Sequence, residues 1–63
     1  MSIKENTFAA ACYDQNSIEE LIKALRQKKA DKGDCQEWGL TATEWRNSIS
    51  LALKEKIDDK CER

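Results

Sequence analysis

Apolar positions along the chain recur at helical spacing and nowhere alternate with polar ones over the length of a strand. Ile18, Leu21, Ile22 and Leu25 stand at i, i+3, i+4 and i+7, a single stripe on one helical face. Ser17 and Glu20 ahead of them have capping-box spacing, in which each side chain satisfies a free backbone amide of the other. Glu19 and Glu20 fall in the first turn, and Lys28, Lys29 and Lys32 near the far end, which complements the helix dipole. The pattern predicts a helix over residues 17–31, stopped by Gly33.

A second stripe comprises Ala42, Trp45, Ile49, Ala52, Leu53 and Ile57, which share an arc of about 140° at 100° per residue. Thr41 and Glu44 repeat the capping box, and Leu40 before the cap can pack on Trp45 as a hydrophobic staple. A helix over 42–60 is predicted. Leu51 points away from its stripe, and an isolated exposed leucine is favoured over a second contact surface. At the start of the chain, Ser2-x-x-Glu5 is a third cap spacing, and Phe8 to Cys12 are helix formers. A short helix over 3–13 is expected, broken by Asp14-Gln15-Asn16, with Ala9 to Ala11 allowing another backbone close approach. The segment Gly33–Leu40 reads as a short connection that makes the two long helices an antiparallel hairpin. Asp34-x-x-Glu37 could cap one turn within it, aiming Trp38 at the seam as a core plug.

Composition narrows what such a hairpin can be. The chain has 63 residues, with 11 basic and 12 acidic side chains and a net charge of −1, so phosphate-driven nucleic-acid binding is disfavoured. No apolar run reaches the roughly 18 residues of a membrane span, and no signal peptide is expected at the start. Histidine is absent, which removes the usual general base and the usual zinc ligand together. No phosphate loop or dinucleotide fingerprint occurs. Glu55, Asp58, Asp59 and Glu62 read as a solvated acidic helix end rather than a cation site. No catalytic residue, cofactor or metal is therefore expected.

A chain this short buries little apolar surface and needs a further source of rigidity. Cys12, Cys35 and Cys61 are odd in number and have no C-x-x-C spacing, which argues against a disulfide framework or a zinc site and fits a reducing cytoplasm. Cys12 reads as a small buried apolar residue, and Cys61 as exposed. A partner chain remains. The expected architecture is all-α, a short N-terminal helix plus an antiparallel hairpin, forming a homodimeric bundle. The residues expected to carry the core and the dimer are Ile18, Leu21, Ile22, Leu25, Trp38, Trp45, Ile49 and Leu53.

The alternative is a small helix-turn-helix-like DNA-binding regulator, using Arg26, Lys28, Lys29 and Arg46. Against it, Glu44 sits beside the basic residues of the second long helix, and the segment 33–40 exceeds the three or four residues of that turn.

The stretches Lys4–Cys12, Ser17–Ile22, Asp34–Thr41 and Glu44–Arg46 carry a resemblance over the whole chain. It resembles the small open reading frames of the exo–xis region of temperate lambdoid bacteriophages, between the exonuclease and excisionase genes. The resemblance implies an early accessory protein of the bacterial host cytoplasm, associated with the lysis–lysogeny choice, prophage induction and host takeover. Its partner would be an unidentified host or phage protein. It implies no catalytic or binding residues.

Overall fold

A computed structural model describes residues 3–61, with side chains through Lys60. The cap expected at Ser2, the side chain of Cys61, and Glu62 lie outside the described residues. Among the described residues the chain is all-helical: α1 (Ile3–Gln15), α2 (Ile18–Arg26), α3 (Lys32–Trp38) and α4 (Ala42–Cys61).

Both expected capping boxes form. Ser17 Oγ accepts from the Glu20 amide at 3.2 Å, and Glu20 Oε1 accepts from the Ser17 amide at 2.8 Å. Thr41 Oγ1 accepts from the Glu44 amide at 3.2 Å, and Glu44 Oε1 from the Thr41 amide at 2.9 Å. Leu40 and Trp45 are both buried, as the staple requires. The first helix runs two residues beyond its expected end, to Gln15, and the Asn16 amide closes its last turn on the Cys12 carbonyl at 2.9 Å.

The predicted helix over 17–31 is not one helix. It ends at Arg26, and Gln27 is extended at φ −65°, ψ 141°. Two interactions outweigh helix propensity there. The Arg46 guanidinium binds the carbonyls of Leu25 and Gln27, which a continuing helix would have offered to its own later amides. Asp31 then caps a new helix by accepting from the Asp34 amide at 3.1 Å. Gly33, expected to stop the helix, lies inside α3 instead. The stop is Gly39, the described residue with positive φ (66°), with the amides of Gly39 and Leu40 returning to the Cys35 carbonyl. The segment 33–40 is thus mostly helix, and its cap is Asp31 rather than Asp34.

α4 is the hub. α1 packs on it most extensively, α2 next and α3 least. Near the starts of α1 and α4, Asn47 Nδ2 donates to Glu5 Oε2 at 3.5 Å; near their ends, Lys56 Nζ donates to the Tyr13 carbonyl at 2.6 Å and sits 4.8 Å from the Tyr13 ring centroid. The start of α4 meets the end of α2 through Arg46, and its end lies beside Ser17 and Ile18. The core is Phe8, Ala9, Cys12, Leu21, Leu40, Trp45, Ile49 and Ala52. Glu5 and Ser48 are the buried polar side chains; Ser48 Oγ donates to the Glu44 carbonyl at 2.8 Å.

The weight of α1 in this core changes which face of α4 is inside. The buried positions are Trp45, Ser48, Ile49 and Ala52, while Ala42 and Ile57 of the expected stripe are exposed. The buried arc is rotated toward Ser48 and Leu51, because α1 covers that flank. Leu51, expected to be exposed, is half-buried and packed on the core. Small residues on both helices (Ala9 and Cys12 on α1, Ser48 and Ala52 on α4) allow the two backbones to come close.

Cys12 is a buried apolar filler, as expected. Burial first, and the Asp34 carboxylate second, push its thiol up from 9 to about 11. The folded value exceeds the unfolded one. The contribution to stability is therefore fully present below pH 9 and is lost as pH rises from 9 to about 11. Over that window the chain is expected to lose more stability than its Cys12→Ala variant, as read from urea midpoints at each pH. Parallel slopes would contradict this.

Candidate functional site: a basic groove and an apolar edge

Two surface features stand out on the α2–α3–α4 side. The first is a shallow groove at the α2–α3 bend. Lys28 and Lys29 come from the bend, Lys32 from the start of α3, and Arg46 from α4. Ala30, Leu40 and Ala42 give it an apolar surface, with Cys35 and Gln36 on the α3 side. It exists because α2 stops at Arg26, so Lys28 and Lys29 fall on a loop folded toward the start of α4 rather than along a helix.

The basic residues have different roles. Arg46 is half-buried and binds the Leu25 carbonyl at 3.1 Å and the Gln27 carbonyl besides. It ends one helix by holding it to another. Arg26 is exposed in the last turn of α2 and does not line the groove. Of the four cations picked from the sequence, Lys28, Lys29 and Arg46 share the groove. Lys32, at the start of α3, completes it. Arg46→Lys keeps the charge but loses the fork that spans two carbonyls. It is expected to cost about 1–3 kcal/mol in urea unfolding. An unchanged midpoint would show that the two bonds contribute nothing.

Near the groove, Asp34 Oδ2 accepts from Trp45 Nε1 at 3.2 Å, which ties α3 to the core. The Cys35 thiol points to the Thr41 carbonyl at 3.9 Å. Desolvation, then the carboxylates of Asp34 and Asp31, raise its pKa above the ordinary value, which lowers its reactivity as a nucleophile. Among the described residues no group of three or more acidic or cysteine side chains is placed to hold a metal ion. None of the described helices is long and apolar enough to cross a membrane.

The second feature is apolar. Of the residues expected to form core and dimer, Leu21, Trp45 and Ile49 are buried. Ile18, Leu25, Trp38 and Leu53 are half-buried, and Ile22 is 37% exposed. Trp38 packs on Phe8 with ring centroids 5.2 Å apart at a 57° tilt. Ile22 does not belong to the core of the single chain, because α2 turns Leu21 inward and its neighbour outward. Ile57 on α4 is likewise 39% exposed.

No protein-family profile, no curated protein and no solved structure matches this chain.

Proposed function

We propose that this chain is a non-enzymatic accessory protein that acts through protein contacts and works as a two-fold homodimer. The observation that carries the reading is the apolar surface left on α2 and α4: Ile22 and Ile57 are more than a third exposed, and Ile18 is half-buried. An apolar edge of this kind on so small a domain is typical of an interaction surface. In this reading α2 and α4 are the two arms of an antiparallel hairpin, and a second copy packs across their shared edge to make a helical bundle.

The resemblance to the exo–xis region supplies the setting: an early phage protein of the bacterial cytoplasm, influencing the lysis–lysogeny decision or host takeover by binding a regulatory protein. In-cell crosslinking during infection tests this. A specific host or phage partner, lost in a variant with a charged apolar edge, supports it; recovery of chaperones alone overturns it. The helix-turn-helix alternative is weakened by the engagement of Arg46 with α2 and by the position of Arg26 outside the groove.

A further inference from the structure

The basic groove is not explained by the dimer edge. Lys28, Lys29 and Lys32 are exposed and have no hydrogen bond or ion pair among the described residues. The carboxylates closest to them in sequence are turned to other tasks: Asp31 caps α3, and Asp34 holds the Trp45 indole. Three cations thus stand without a paired carboxylate among the described residues, on a chain whose net charge is −1. Between them lies apolar surface from Ala30, Leu40 and Ala42.

Each lysine is a point charge on an apolar stem. Three such groups around an apolar floor complement a ligand that has both carboxylates and aliphatic side chains. We propose that this groove docks a short acidic, amphipathic segment of a partner protein, with aliphatic side chains on Ala30 and Ala42 and carboxylates on Lys28, Lys29 and Lys32. This rests on the protein-contact reading above and gives it a site and a partner chemistry. A nucleic acid fits less well. No aromatic side chain lines the groove to stack a base. Its arginine, the side chain best suited to phosphate and guanine, is engaged with the carbonyls of Leu25 and Gln27.

The test titrates the isotope-labelled full chain with a short helical peptide carrying leucines one turn apart among glutamates. Saturable amide shifts are expected at Ala30, Cys35, Gln36, Leu40 and Ala42, weakening as salt is raised. The same peptide with lysine for glutamate should leave these signals in place. A Lys28→Glu, Lys29→Glu, Lys32→Glu variant, shown to be folded by circular dichroism, should bind the acidic peptide about tenfold more weakly. Shifts elsewhere, no saturable shift, or equal binding by the variant would overturn the proposal. So would duplex DNA that occupies the groove more tightly than the peptide at the same salt. Light scattering on the same samples reads assembly separately. A chain that stays single yet docks the peptide keeps the groove and loses the dimer; a dimer indifferent to the peptide loses the groove alone.

Discussion

Replacing Trp45 by alanine is expected to unfold this chain. Trp45 is 2% exposed, sits on the hub helix and follows the staple residue Leu40. Removing a buried aromatic side chain costs about 3–5 kcal/mol through lost transfer energy and the cavity left behind. A 63-residue domain has a total stability of about 3–9 kcal/mol at the usual value per residue. The loss is increased because the indole also ties α3 to α4 through Asp34, whose carboxylate would lose its partner. Trp45→Phe separates the two effects. It keeps most of the packing and removes the Nε1 donor, so a smaller cost of about 1–2 kcal/mol is expected. Urea unfolding followed by far-ultraviolet circular dichroism measures both. A midpoint unmoved in Trp45→Ala would mean that the core is not where the packing places it.

The second large effect concerns assembly. Light scattering at high concentration should give twice the 7.2 kDa chain mass, falling toward 7.2 kDa on dilution. The Ile22→Glu, Ile57→Glu double variant should scatter as a single chain throughout. Both positions are more than a third exposed in the isolated chain, so each substitution should cost no more than about 0.5 kcal/mol of intrinsic folding stability. What it should abolish is the rise of melting temperature with protein concentration that dimerisation produces. A wild-type chain that stays at 7.2 kDa across the series, folded and cooperative, would end the dimer reading.

Several features of the fold are legible one residue at a time. Ser17 with Glu20 and Thr41 with Glu44 each lie within one turn, so the sequence already holds both partners of each hydrogen-bond pair. The stripe at Ile18, Leu21, Ile22 and Leu25 marks a helix face without reference to anything distant. The groove was only half legible. Lys28 and Lys29 are visible as a basic run, but helical periodicity puts them on a helix, where their charges would complement the dipole. That they line a loop depends on Arg46, 19 residues beyond Gln27 in the chain. No local pattern signals that a guanidinium will take a helix's last carbonyls. The buried face of α4 departs from its apolar stripe for a similar reason. A single helix shows its apolar stripe, but Ser48 and Ala52 are buried because α1 covers them, and small or polar residues leave a faint hydrophobic trace.

The amino-acid order by itself determined that the chain is helical and where two of its helices begin, and it placed Leu21, Trp45 and Ile49 in apolar stripes without saying which members of those stripes face the core. These follow from hydrogen bonds and periodicities that close within a turn or two. The tertiary structure decided where α2 ends, that α3 exists with its cap on Asp31, that α1 rather than α2 is the main partner of α4, and that three lysines gather over an apolar floor. Those outcomes come from groups far apart in sequence competing for the same carbonyls and the same helix face, a contest settled only when the chain is folded.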